Sequence, residues 1–510
     1  MKTLRLILGD QLNIKHSWFD KTDPRITYCI FETHQETDFI KHHIKKVIAF
    51  FAAMRAFASE LENKGHKVIY FKIKDPNNKQ TLNGNLTYLI ENFNFKQFEY
   101  LLPDHYGLDK KLNAICDYLS IPSKAYDTEH FLSERFELKQ FFEGKKQFIM
   151  ESFYRYMRKK HDILMRDNQP EGGLWNYDKS NRKKWKARHT SPDKIDFKND
   201  ISNILTDLED AEVVTIGRLD GHFIDFPITR FQALRQLDYF CEHLLVHFGD
   251  YQDAMHTEEI NLFHSRISFA LNAKLINPKE CIFAVIRTYE SNKDTITISQ
   301  AEGFIRQILG WREYMRGMYW AQMPKFKTLN ALNHNNKLPD FYWTGNTQMN
   351  CLKQSVNNSL DHAYAHHIQR LMITGNFALL NQTDPDKVDE WYLGIYADAV
   401  EWVQITNTRG MSQFADGGLI ATKPYISAAN YIDKMSNYCQ DCAYNKKERI
   451  GENACPFNSL YWNFLDDHRE TLGANRRMGM MYNLLDKIPS EEMREIKNRA
   501  HQIIINPDAY

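Results

Sequence analysis

Cys439-Gln-Asp-Cys442 sets two thiols three positions apart, and Cys455-Pro456 follows after twelve intervening residues. A C-x-x-C pair brings two thiolates within reach of one metal centre, and Cys-Pro is a frequent closing ligand of iron-sulfur sites. All-cysteine ligation needs a fourth thiolate. Cys351 is the candidate, because its neighbourhood from Trp343 onward is polar and loop-like. Four thiolates suit a [4Fe-4S] cluster or a structural zinc about equally, and a redox-active dithiol is the third option. The spacing marks a metal centre and leaves its identity open.

The remaining four cysteines, Cys29, Cys116, Cys241 and Cys281, stand singly among apolar neighbours and read as buried small hydrophobes. Eight cysteines in 510 residues argue against a disulfide framework and for a reducing compartment. No apolar run reaches the ~18 residues of a membrane span, and no signal-peptide cleavage pattern follows Met1 to Asp10, so a soluble cytoplasmic protein is expected.

A second chemical signal lies between Arg155 and Arg188, where eleven Lys or Arg face four acids and are interleaved with Tyr156, Trp175, Tyr177 and Trp185. Cations displace condensed counterions from a nucleic-acid backbone, and aromatics stack on unpaired bases. Arg182, Lys183 and Lys184 are the contact candidates; a charge-rich linker without a partner is the competing reading. Lys+Arg and Asp+Glu both total 65, so net charge adds nothing and any basic surface must be local.

These residues need a scaffold, and 510 residues exceed one ordinary core. Hydrophobic residues at 43% and aromatics at 13% describe a packed protein and exclude a disordered one. Short apolar runs at Leu4 to Leu8, Tyr28 to Phe31, Val68 to Ile73 and Phe98 to Leu102 alternate with helical periodicity such as Lys45 to Leu61, which predicts a parallel sheet covered on both faces. Ligands of such sheets sit at the carboxyl ends of the strands, here Gly9-Asp10-Gln11 and Glu32 to Glu36. No G-x-G-x-x-G follows the first strand and no P-loop occurs, so a nicotinamide dinucleotide or nucleotide-hydrolase fold is unsupported. From about Glu209 the pattern is helical, with long periodic segments at Thr229 to Phe248, Ser299 to Trp320 and Leu360 to Leu380. Such a domain is large enough to bury an organic cofactor between helices.

Within that half, Phe304-Ile-Arg-Gln-Ile-Leu-Gly-Trp-Arg-Glu-Tyr314 resembles the R-Q-x-x-G-W-R-E-[FY] signature of the photolyase and cryptochrome superfamily. Ser265-Arg-Ile-Ser268-Phe269 resembles its S-x-L-S-P-Y turn, with Phe269 in the place of the usual Pro. His366-His367-Ile-Gln-Arg370 matches H-H-x-x-R, and Tyr396-Ala-Asp398 supplies a carboxylate. With the cysteines, the N-terminal Gly9-Asp10-Gln11-Leu12 and the run Tyr364 to Leu380, the whole chain resembles the iron-sulfur bacterial photolyase and cryptochrome group.

The resemblance implies an α/β N-terminal antenna domain with a Rossmann-like parallel sheet (1–130), an interdomain linker carrying the basic segment (131–208), a large all-α FAD-binding domain (209–430) and a C-terminal helical iron-sulfur region (431–510). It implies FAD held by Ser265, Ile267, Ser268, Phe304, Gln307, Trp311, Arg312, Gln404 and the Arg370–Asp398 pair. A [4Fe-4S] cluster on the four cysteines and a 6,7-dimethyl-8-ribityllumazine antenna on Gly9, Asp10, Glu32, Glu36 and Phe39 follow in the same way.

The implied activity is light-driven repair of UV-damaged DNA. His367 stands where relatives acting on cyclobutane dimers have Asn, which favours the (6-4) photoproduct, whose repair needs a proton donor; a histidine, with its charge change near neutral pH, suits that task. His366 would orient it, while for an arbitrary pair two hydrogen-bonded core histidines remain the other reading. Met411 and Tyr425, with Tyr431 a further candidate, would meet the lesion. Trp391, Tyr392 and Trp343 would relay electrons. A monomer, nucleoid-associated while repairing, is expected. A blue-light receptor of the same fold and a zinc-bearing nucleic-acid binder are the competing functions.

Overall fold

Thr3–Leu6 (β1), Ile26–Phe31 (β2), Lys67–Phe71 (β3), Gln97–Leu101 (β4) and Ser123–Tyr126 (β5) pair in parallel, in the order β3-β2-β1-β4-β5. The computed structural model describes residues 1–186 and 191–510, so Arg188 lies outside the described residues. Alternation along β2 serves both faces of the sheet: Cys29 and Phe31 enter one core, Tyr28 and Ile30 the other. The first face is covered by Leu82–Phe93 (α2) and Tyr106–Tyr118 (α3), the second by Ile44–Asn63 (α1), whose Val47, Phe51, Met54 and Phe57 belong to the core shared with the helical half. The chain thus has an α/β sheet domain followed by a large helical one, the architecture that the resemblance implies.

The start of α1 fastens the two halves together. Lys46 is buried and donates to the carbonyls of Leu393 (2.6 Å) and Ala399 (2.8 Å), while His43 Nε2 lies 2.8 Å from Leu360 O. Burial pushes the Lys46 ammonium down to about 7, with Asp398 opposing. The helical half uses Ser268–Asn272 (α4), Asn350–His362 (α5), Pro385–Ile395 (α6) and Ser490–Ile505 (α7) around three wide, π-helical turns at Arg306–Arg312, Gln369–Gly375 and Thr406–Ser412. Such turns concentrate at functional sites. Among the described residues no helix is long and apolar enough to cross a membrane.

Three expectations change. The periodic run from Leu360 to Leu380 is not one helix: α5 ends at His362, Ala363 adopts a left-handed φ of 50°, and the following elbow is held by Ala397 N donating to Ala363 O at 2.9 Å. Cys351 sits in the first turn of α5 instead of a loop. Of the four scattered cysteines Cys29, Cys241 and Cys281 are buried, but Cys116 is half-buried.

Candidate active site

The elbow after α5 and the wide turn Gln369–Gly375 bring Arg370 to Asp398. The guanidinium grips the carboxylate with two bonds, 2.9 and 3.1 Å, donates Nε to Ala365 O at 2.6 Å, and lies 3.8 Å over the ring of Tyr396. Asn272 at the end of α4 holds the Asp398 carbonyl at 2.6 Å. Between them opens a crevice lined by Arg266, Ser268, Phe269, Tyr364 and Asp398. Ile267 is buried, Ser265 O accepts from Gln236 Nε2, and Phe269 packs edge-on against Phe50 and Phe226, so the residue replacing the usual Pro anchors the turn in the core.

Arg266 was not singled out by its motif. It has φ +56°, donates one nitrogen to Asp225 Oδ2 at 2.9 Å, and keeps a second, Nη1, buried and unpartnered. Aromatic walls, a bidentate ion pair and a guanidinium with a free donor fit a flavin dinucleotide, which offers a planar ring system and a pyrophosphate.

The other sequence-predicted flavin contacts spread more widely. Phe304 is a core aromatic against Phe240 (4.7 Å), and Gln307 bonds back to Gly303 O. Trp311 is half-buried beside Tyr314. Arg312 turns toward the sheet domain, donating to His130 Nε2 (3.1 Å) and Leu271 O (3.2 Å). Gln404 donates to Asp389 Oδ1 at 3.0 Å; burial pushes Asp389 up to about 7 against the pull of Arg409.

His366 is buried, and its ring stacks on His264, centres 4.6 Å apart and planes 19° apart. Its Nδ1 accepts from Ile368 N at 3.3 Å, which leaves Nε2 as the protonated nitrogen, buried and unpartnered. His264 in turn has Nδ1 2.7 Å from Asn261 O and Nε2 2.9 Å from Gln252 O. His367 is solvent-accessible, yet protein surrounds it closely enough that burial, followed by the Arg370 charge, pushes it down to about 4. Accessible and desolvated together describe the wall of a recess. A histidine whose charge change was expected near neutrality is therefore a neutral imidazole there.

Around this recess the aromatic side chains form a continuous string. Tyr396, under Arg370, meets Tyr392 (5.6 Å) and Trp391 (5.8 Å); Trp391 meets Tyr392 (5.2 Å) and Tyr342 (5.1 Å) and donates Nε1 to Tyr342 O at 3.0 Å. Trp343, next along the chain, is 38% exposed. Tyr342 and Tyr396 belong to this string as well; the sequence did not single them out beside Trp391 and Tyr392, although the Tyr-Trp and Tyr-Ala-Asp pairings carry the hint.

Leading outward from His264, Gln252 adjoins Asp253, which burial raises to about 6 and which feels Arg182 and Asp178; Tyr431 feels Asp253 and Arg182, and Tyr425 feels Asp178 and Arg182. Met411 is buried in the core at 3% exposure, instead of open to a lesion. The three cations proposed for DNA all have protein partners: Arg182 with Asp178, Lys183 with Asp250 (2.9 Å) and Lys184 with Asp433 O (2.8 Å).

At the sheet's carboxyl edge Glu36 is exposed but raised, by burial in a recess that it shares with Asp10 and His105. Gly9 lies against Met54, whose sulfur a Cβ would approach to 3.1 Å, and Phe39 is open beside His42. Glu32 is spent internally: Arg55 (2.7 and 2.9 Å), Tyr70 (2.6 Å) and Ile73 N (2.9 Å) take both oxygens. The four cysteine thiols Cys351, Cys439, Cys442 and Cys455 lie within electrostatic reach of one another. Burial raises Cys351 well above the ordinary range, Cys439 to about 11 and Cys455 to about 12. Arg499 of α7 holds the carbonyls of Glu452 and Ala454 just before Cys455. Among the described residues no three His, Cys, Asp or Glu side chains stand close enough to hold one metal ion.

Residues 5–223 match the family model described as deoxyribodipyrimidine photo-lyase-related protein. Over 508 residues, 98% of this chain and 98% of the relative, the sequence is 39% identical to a (6-4) photolyase of Agrobacterium fabrum (strain C58). An uncharacterized protein of Acanthamoeba polyphaga mimivirus is 29% identical over 203 residues, 38% of this chain and 98% of that protein. Among solved structures, a bacterial class III photolyase from Agrobacterium tumefaciens superposes with a TM-score of 0.57 over 96% of this chain and 98% of that one, at 14% identity. A Synechocystis sp. PCC6803 cryptochrome gives 0.53 over 81% and 82%, also at 14% identity. The chain belongs to the deoxyribodipyrimidine photo-lyase-related family, together with the bacterial (6-4) photolyase that it resembles from end to end.

Proposed function

We propose that this protein repairs (6-4) pyrimidine photoproducts in DNA with light. The observation that supports the reading is that exposed His367 feels the charge of Arg370, three residues on and itself paired with Asp398. The full-length likeness to a protein named (6-4) photolyase supports it, and favours it over a receptor of the same fold.

When bound, FAD supplies the excited electron. The chain's own residues do the rest: Arg370 and Asp398 form a fixed polar edge, Arg266 offers a free N–H to a phosphate oxygen, and His366 offers a buried Nε2–H. His367, neutral at rest, gains a proton from solvent when polyanionic DNA with its flipped-out lesion raises its pKa, and then passes that proton to the lesion as the lesion takes up the electron, returning to neutral imidazole. A [4Fe-4S] cluster would be held by Cys351, Cys439, Cys442 and Cys455, four thiols within electrostatic reach of one another. A lumazine antenna would lie in the Glu36–Asp10 recess, its ribityl hydroxyls and ring NH facing those carboxyls. We further infer a cytoplasmic monomer that meets the nucleoid while repairing.

His367→Ala tests the assignment. Repair of a (6-4) lesion under light should fall by about a hundred-fold or more while the protein keeps its yellow flavin absorbance. Undiminished repair removes His367 from the chemistry, and a colourless parent protein removes the flavin.

A further inference from the structure

We infer that Arg476 and Arg477, in the C-terminal helical region, are phosphate contacts of the DNA-binding face, with Lys423 beside them. The inference rests on the proposed repair function and names a surface outside the basic segment. Arg182, Lys183 and Lys184 are each occupied by a protein acceptor, so the sites expected to neutralise phosphates are already satisfied. Arg476 and Arg477 are exposed, and among the described residues neither guanidinium has a carboxylate within ion-pair distance; the neighbouring Arg469 is taken by Asp466 and Asp486.

Their position follows from a chain of contacts leading outward from the histidine pair. His366 stacks on His264, and His264 lies 2.9 Å from Gln252 O. Asp253, the next residue, feels Arg182 and Asp178, and Tyr425 feels Asp178, Arg182 and Arg477 together. Arg477 is thus near Tyr425, three residues along from the Thr422 carbonyl that Asn475 holds. Asn475 fixes the turn: its Nδ2 donates to Thr422 O at 2.9 Å and its Oδ1 accepts from Arg477 N at 3.0 Å. The Asn475–Thr422 bond seats the arginine pair against the loop segment Thr422-Lys423-Pro424-Tyr425. Adjacent unpaired guanidiniums on a held turn, next to the segment that carries Tyr425, match the backbone of a duplex whose damaged base is turned inward.

The test is dark binding of the flavin-loaded full chain to a duplex carrying one (6-4) photoproduct and to its undamaged twin, from 50 to 200 mM salt. Each lost phosphate contact lowers the salt slope by about 0.9, so R476Q/R477Q should shrink the affinity ratio between the two salt concentrations about 12-fold, equally on both duplexes. R476K/R477K should keep the parent slope. An unchanged slope in R476Q/R477Q overturns the inference while leaving the repair reading intact. A parent that does not prefer the damaged duplex overturns the repair reading instead.

Discussion

His366 lies face to face with His264, ring centres 4.6 Å apart, and its one buried donor, Nε2, has no partner among the described residues. His264 is itself fixed between two carbonyls, Asn261 O and Gln252 O. The stack thus holds a donor in place for something that the chain does not contain.

Removing the stacking partner should loosen His366 without emptying the crevice, because His264 does not line it. His264→Ala is expected to retain flavin and lose repair rate. A double-mutant cycle with His366→Ala should give a coupling of about 1–2 kcal/mol, as for residues in direct contact. Additive losses would show that the stack does nothing.

The depressed pKa of His367 has a stability consequence. An unfolded histidine titrates near 6.5, whereas His367 resists protonation until about pH 4, chiefly through burial. Between these values the unfolded chain binds the extra proton, so the stabilisation is complete above about pH 6.5 and lost as pH falls through about 4. Urea midpoints of the parent and His367→Gln should differ by a constant amount at neutral pH and change relative to each other across that window. Parallel profiles down to pH 4 contradict the assignment.

Trp391 is fully buried and touches Tyr342, Tyr392 and Tyr396 at once, so it is the junction of the aromatic string. Trp391→Phe should suppress most light-driven flavin reduction by an external thiol. Tyr342→Phe should slow it measurably, and Trp343→Phe should cut surface supply. Transient absorption reads all three, and unaltered kinetics in Trp391→Phe would exclude the string as the route.

Cys442→Ser should bring iron to background and lower the unfolding midpoint, since the four thiols join α5 to the loop and helix that follow residue 438. Metal analysis and denaturation of the purified protein measure both. Full iron content in the variant would assign the ligand elsewhere.

Sequence made β1 to β4 and α1 readable, because their apolar residues form short continuous runs or repeat along one helical face. Ser123–Tyr126 escaped: it is an edge strand with an open pattern and no apolar alternation. Arg370 and Asp398 stand 28 positions apart, and only the family motif joined them. No local pattern announces that His264 would stack on His366, that Arg55 would consume Glu32, or that Lys183 would close on Asp250. Each depends on which elements the tertiary fold lays together. The burial of Met411, similarly, reflects the wide turn Thr406–Ser412 rotating it into the core.

The central claim is most directly tested by illuminating the flavin-loaded protein with two duplexes in separate reactions, one carrying a (6-4) photoproduct and one a cyclobutane dimer. The account requires restoration of normal bases in the (6-4) duplex and none, or far less, in the other. Repair of the cyclobutane dimer alone would contradict the role given to His367, and repair of neither would leave a fold without the proposed activity.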